Sequence, residues 1–143
     1  MSNVKVLKNN ADAIKAAMAG VRLGRAVMAG GQIVEGAAKL LMRGPKSGRI
    51  YPPKGHQASA GGEAPAIDTG NLANSISTEL LSSDSNSAWA QVGTGVEYAE
   101  PLEFGTSTME ARPFMRPAFD NNEAKIEEII RKIAKQNIEG AAQ

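Results

Sequence analysis

Two helical stretches bracket a centre patterned for strands and turns, and this arrangement sets the fold class. From Ala11 to Met42, Ile14, Met18 and Val21 form one apolar stripe, and Val27, Val34, Ala38 and Leu41 form a second. Asn9 or Asn10 suits the N-cap, Asp12 favours the first turn, and Gly44-Pro45 ends the run. At the other end Ile126, Ile129, Ile130, Ile133 and Ile138 form a helical stripe. Asp120 is expected as its N-cap, with Glu123 completing a capping box; Glu127–Arg131 and Glu128–Lys132 are i,i+4 pairs. Residues 140–143 are expected to fray. Between the helices, Ser75–Leu81 and Ala88–Gly93 read as a hairpin around the Ser82–Ser87 turn cluster. Val96, Tyr98, Leu102 and Phe104 are spaced mostly by two and read as a third strand, with Pro101 disturbing its alternation. Met1–Leu7 reads as a terminal strand or a disordered arm. The expected fold is α+β: a small antiparallel sheet of three to four strands packed against a long, kinked N-terminal helix and a C-terminal helix. It is one domain, with a helical part at 10–43, a flexible loop at 44–65, a sheet at 66–105, and a proline-rich connector and C-terminal helix at 106–139.

The first helical stretch contains Gly20, Gly24, Gly30, Gly31 and Gly36. Each interior glycine costs about 1 kcal/mol against alanine, so two helices or one kinked helix are expected, with the break near Gly20. The compensating explanation is close approach, because a helix face without Cβ atoms lets another element lie against it.

The 44–65 stretch has no periodicity and is long for a structureless connection. It holds His56, the single histidine, in a chain without cysteine. A solvated loop residue is therefore expected there and a metal site is not. Thiolate metal sites, disulfides and cysteine nucleophiles are excluded outright. Asp68-Thr69-Gly70 matches the active-site triplet of aspartic proteases, but that chemistry needs two facing carboxylates. Here a single copy stands beside Asn71-Leu72-Ala73-Asn74-Ser75 and reads instead as a turn, in which Asp68 or Thr69 accepts a backbone hydrogen bond. With no phosphate-binding Gly-Lys motif either, an enzyme is not expected, and no cofactor is.

The formal net charge is +1, yet residues 1–60 carry ten Lys/Arg against Asp12 and Glu35, while residues 61–143 carry six against thirteen acids. Opposite excesses in two parts of one chain suit a molecule whose basic face meets the acidic face of a neighbour. No signal-peptide apolar core and no membrane-length apolar run is present, so a soluble protein made in a cytoplasm is expected. Aromatics are 4% of residues, so the core rests on Ala, Ile, Val, Leu and Met, and oligomer contacts are a natural source of further stability.

The stretch Val96–Asp120 holds all three phenylalanines. By local chemistry it is strand, then the Gly105-Thr106-Ser107-Thr108 turn, then a segment whose Pro113 and Pro117 suit extended chain or a first helical turn. Its order of residues has a further meaning. Glu97-Tyr98-Ala99, Glu103-Phe104-Gly105-Thr106 and Ala111-Arg112-Pro113-Phe114 with Arg116-Pro117-Ala118 follow an upstream block, Pro65-Ala66-Ile67-Asp68-Thr69-Gly70-Asn71-Leu72 with Ser75-Ile76. Together they resemble the tail-completion, or head–tail joining, proteins of long-tailed bacteriophage necks, over most of Met28–Ile138.

The resemblance implies a structural virion protein, a small α+β subunit of a homo-oligomeric ring, sixfold by analogy with the tail. Its partners would be head-closure or connector proteins on one side and tail-terminator or tail-tube proteins on the other. Genomic DNA would pass without sequence-specific binding, and no membrane partner is implied. Its place would be the virion neck or tail, assembled in the host bacterial cytoplasm. The same necks use small α+β proteins as tail-terminator and head-closure rings, which stay open as alternatives. A nucleic-acid-binding module, supported by the basic N-terminal part, is the alternative of a different class. Candidate interface or channel residues are Glu97, Glu100, Glu103 and Glu110, of which Glu97 and Glu103 are expected largely on a wet strand face, together with Lys46, Arg49 and Lys54 of the loop. Candidate structural anchors are Tyr98, Phe104, Gly105, Pro113, Phe114, Pro117, Thr69 and Gly70.

Overall fold

The structure, a computed structural model, describes residues 2–6, 23–53, 55–84 and 87–141, with side chains placed for 23–53, 55–84 and 87–135. The elements are β1 (Ser2–Val6), α1 (Leu23–Arg43), β2 (Ile50–Tyr51), β3 (His56–Gln57), α2 (Asn71–Ser75), β4 (Ser77–Ser83), β5 (Ala88–Gly93), α3 (Ala99–Phe104), α4 (Met115–Asp120) and α5 (Glu123–Ala141). The fold is α+β, with a long helix in the N-terminal half, a C-terminal helix and small antiparallel sheets. The expected N-cap at Asn9 or Asn10, the Ile14–Val21 stripe and the break near Gly20 lie outside the described residues.

The chain divides into two compact units, each assembled from separated stretches: residues 1–33, 78–92 and 122–143, and residues 34–77 and 93–121. In the first, strand order is β1-β5-β4. β1 runs antiparallel to β5 with Ser2 opposite Val92 and Val6 opposite Ala88. Ala88, Ala90 and Val92 are buried, so one face of β5 is the core face and is built from small residues. Leu23 and Val27 pack on Ala88 and Ala90, with Met28 at the margin. The helix glycines are explained here. A Cβ on Gly30 would meet the Ile130 side chain at 2.8 Å, and one on Gly31 would meet Thr78 at 2.5 Å. Close approach, not a kink, is what these two glycines provide, and α1 runs unbroken through both. Ile126 and Ile130 of α5 are buried and Ile129 and Ile133 half-buried, as the stripe requires. Glu127 and Arg131 approach to 3.9 Å on the exposed face.

The second unit holds the rest of α1, in which Val34, Ala38 and Met42 are buried one turn apart. Gly70, at φ +84°, turns the chain into α2, and the Thr69 hydroxyl accepts the Asn71 N–H at 3.4 Å. Only glycine adopts that backbone readily, so the upstream block is a turn, as its residues indicate. Ser75 at the end of α2 donates to the Leu72 carbonyl at 2.7 Å and stands 2.5 Å from the Thr94 hydroxyl.

Three expectations are corrected. Val96–Phe104 is not a strand: residues 97–98 form a turn and 99–104 a helix. Tyr98 and Leu102 are four apart, a spacing that satisfies a helix as well as a strand, and Pro101 falls in the first turn, where its missing N–H costs nothing. Among the described residues the sheet does not fill 66–105: β4 and β5 are the strands within that range, β1 joins them from the N-terminal stretch, and β2 and β3, inside the expected loop, make a separate two-stranded hairpin. Finally, Asp120 ends α4, where it lies 3.4 Å from Arg116, and α5 begins three residues later at Glu123, with the Ile126 N–H bonded to the Asn122 carbonyl at 2.8 Å.

Candidate interaction surface

The motif stretch folds into a corner between α3 and α4, and Glu103 holds it. Its Oε2 accepts the N–H groups of Phe114 at 2.8 Å and Met115 at 3.0 Å, and its Oε1 accepts that of Arg116 at 2.9 Å. Helix N-termini leave donors without intrahelical partners, and here one carboxylate from the preceding helix satisfies three. Gly105 makes the reversal at φ +77°, and a Cβ there would stand 2.8 Å from the Ala111 nitrogen and 3.0 Å from the Met109 oxygen. Thr106 and Met109 exchange backbone hydrogen bonds across the small loop that follows. Arg112 then closes the corner: its N–H reaches the Leu102 carbonyl at 2.6 Å, its Nε the Ser59 carbonyl at 3.3 Å and an Nη the Glu110 carbonyl at 3.2 Å. Pro113 sits in the irregular stretch before α4, Pro117 within α4, and Phe114 is 1% exposed.

The 44–65 stretch, expected to be a flexible loop, is tied along its length. Gly48 donates to Ala58, Ala58 to Arg49 and Gly55 to Tyr51, which extends the β2–β3 hairpin; the Pro52-Pro53 bond is cis. Glu63 ties the base of this hairpin: its carboxylate takes the Ser47 hydroxyl, the Ser47 N–H at 3.1 Å and the Ala60 N–H at 2.9 Å. These bonds, the Ser47 hydroxyl foremost, and the Lys46 charge pull the Glu63 carboxyl down to about 2 against the opposing effect of desolvation. Lys46 donates to the Leu41 carbonyl at 2.8 Å, and burial lowers its ammonium against the pull of Glu63. The Gly62 N–H bonds the Ala111 carbonyl at 2.9 Å, so hairpin base and motif corner are joined directly.

The candidate residues therefore separate into two groups. Glu103 is not on a wet strand face: it is a half-buried helix cap. Lys46 caps the end of α1. Lys54 lies outside the described residues. Glu97, Glu100, Glu110 and Arg49 are exposed. Of the candidate anchors, Gly70 and Gly105 take left-handed backbone, Phe114 is buried, Pro113 and Pro117 are half-buried, and the exposed Thr69 accepts the Asn71 N–H. Tyr98 is 48% and Phe104 74% exposed. His56 is half-buried in β3 opposite Tyr51, in place of the solvated loop position expected.

Sequence reasoning missed the exposed apolar pair on the hairpin, Ile50 at 59% and Tyr51 at 48%. The Arg49 guanidinium lies 5.1 Å from the Tyr51 ring centroid, within cation–π range. A signal was present: two β-formers before Pro-Pro-Lys-Gly spell strand and turn. Glu63 carried none, because its partner Ser47 is 16 residues away.

Comparison with protein-family models, with curated proteins and with solved structures finds no match. Among the described residues no group of three or more His, Asp or Glu side chains is placed to hold a metal ion. No described helix is long and apolar enough to cross a membrane. What the second unit presents is a surface: a basic, apolar hairpin and an acidic, aromatic α3.

Proposed function

We propose that this chain is a structural subunit of a long-tailed phage neck, a tail-completion or head–tail joining protein that forms a homo-oligomeric ring. In this reading it connects head-closure proteins to the tail in the virion, DNA passes through without sequence-specific binding, and the chain performs no catalysis. The order of the two motif blocks supports the family. The observation that carries the reading is how the second block is used. Glu103, Gly105, Arg112 and Phe114 are committed to holding one corner, while Phe104, between two of them, stands 74% exposed. A rigidly mounted aromatic left in water suits a partner contact better than a fold contact. The ring is sixfold by analogy with the tail; tail-terminator and head-closure rings are its variants.

Mass photometry of the purified protein at low and high salt tests this. Rings that weaken with salt are expected, because screening at 1 M shortens the electrostatic range to about 3 Å. A stable dimer indifferent to salt counts against the ring. The excess of ten cations over two anions in residues 1–60 favours a nucleic-acid-binding module as the second reading. Salt-dependent retardation of DNA by protein that never self-associates is its signature.

A further inference from the structure

We infer that the β2–β3 hairpin of one copy docks on α3 of the next, with Ile50, Tyr51 and Arg49 meeting Phe104 and Glu100. This rests on the ring reading and specifies the contact that builds the ring.

The hairpin has no fold reason to be apolar outside. Each strand has two residues, the two pair only with each other, and both residues of β2 are exposed. An isolated two-stranded hairpin is marginal in water, and exposed apolar residues on it gain only if something covers them. On α3, Glu100 and Phe104 are four apart and so share one helix face, and both are exposed.

The occupant is a second copy because the two surfaces complement each other. Residues 34–77, which carry the hairpin, hold five cationic against three anionic side chains. Residues 93–121, which carry α3, hold two against five. Of those five acids Glu103 is committed to its cap and Asp120 pairs with Arg116, whereas Glu97, Glu100 and Glu110 face solvent. Of the cations Lys39 pairs with Glu35 and Lys46 holds the Leu41 carbonyl, whereas Arg43 and Arg49 are exposed. Each surface thus offers an aromatic beside a charge, Tyr51 with Arg49 and Phe104 with Glu100, and the charges are opposite. Hairpin and helix belong to one unit, yet the aromatics of both are exposed, so they do not cover one another within a copy. The complementary surface must come from another. Two different patches make a heterologous contact, which repeats around a ring instead of stopping at a dimer.

The absence of cysteine makes the test clean. Tyr51→Cys and Phe104→Cys are purified separately, mixed and mildly oxidised. The mixture is expected to give a disulfide-linked dimer in excess of either variant alone. Arg49→Glu in the Tyr51→Cys chain is expected to lower the cross-linking rate about tenfold, and Glu100→Arg in the Phe104→Cys chain to restore it. Both cysteine sites are exposed, so unchanged melting of each variant is the control; Ile50→Cys replaces Tyr51→Cys if that one fails. If the parent forms rings but the mixture cross-links no better than the single variants, the contact is wrong and the ring stands. If the parent stays monomeric and nothing cross-links, both fall.

Discussion

Replacing Glu103 tests whether the motif corner depends on the helix cap seen in the structure. The carboxylate accepts three backbone N–H groups at 2.8, 3.0 and 2.9 Å. Removing an N-cap acceptor costs about 0.5–2 kcal/mol. A half-buried anion at a helix N-terminus contributes up to about 2 kcal/mol beyond that. Glu103→Ala removes both and strands the amides of buried Phe114 and Met115, for a loss of roughly 2–4 kcal/mol. Glu103→Gln keeps one oxygen for the Phe114 and Met115 amides but turns its NH2 toward that of Arg116, and should lose about half as much. Thermal unfolding followed by circular dichroism, with Glu100→Ala as the exposed control, reads the difference. At about 4 °C per kcal/mol for a chain of this size, Glu103→Ala should melt roughly 8–16 °C below the parent, with Glu103→Gln between. A Glu103→Ala protein melting within about 2 °C of the Glu100→Ala control would refute the cap.

The two motif phenylalanines should behave oppositely. With the proteins held monomeric by high salt and low concentration, Phe114→Ala should cost about 3–5 kcal/mol in urea unfolding, whereas Phe104→Ser should leave the unfolding free energy within about 0.5 kcal/mol of the parent. Gly105→Ala should destabilise by about 1–3 kcal/mol through its left-handed backbone and its approach to Ala111, read as a shift in melting temperature. The depressed Glu63 carboxyl contributes stability that is present above the ordinary carboxylate range and lost as pH falls toward about 2. The difference in melting temperature between the parent and Glu63→Gln should therefore be full at pH 6 and shrink steadily below pH 4; a difference constant across that range would count against the Ser47–Glu63 tie.

Periodicity revealed what periodicity builds. The second part of α1 and the buried ridge of α5 follow directly from their stripes, because each helix buries one face. α3 was hidden because Tyr98 and Leu102 fit two periods at once, and a six-residue helix is too short to break the tie. The role of Glu103 was hidden for another reason: its acceptors' partners lie 11 to 13 residues on, and nothing local distinguishes a cap from a solvated acid. The hairpin failed on length, since two-residue strands fall below what alternation can register. The glycines of α1 were legible in purpose but not in partner: close approach was expected, yet only the structure names Thr78 and Ile130.

Separating Glu103 from its neighbours changes how the acidic stretch has to be interrogated. Charge reversal at Glu97 and Glu103 together would destroy the cap along with any surface, and a failed assembly would carry no information. Glu97 and Glu100 are exposed, so Glu97→Lys with Glu100→Lys alters charge without touching the corner. If these acids meet the hairpin of the next subunit, the double variant should keep the parent's circular-dichroism spectrum but lose its rings in mass photometry, because like charges now face Arg49. If instead they line the passage for DNA, rings should form normally and acquire a salt-dependent affinity for duplex DNA that the parent lacks, since even a few cationic contacts release counterions from phosphate. Rings that form normally and ignore DNA would sink both readings and leave Glu97 and Glu100 as merely solvated.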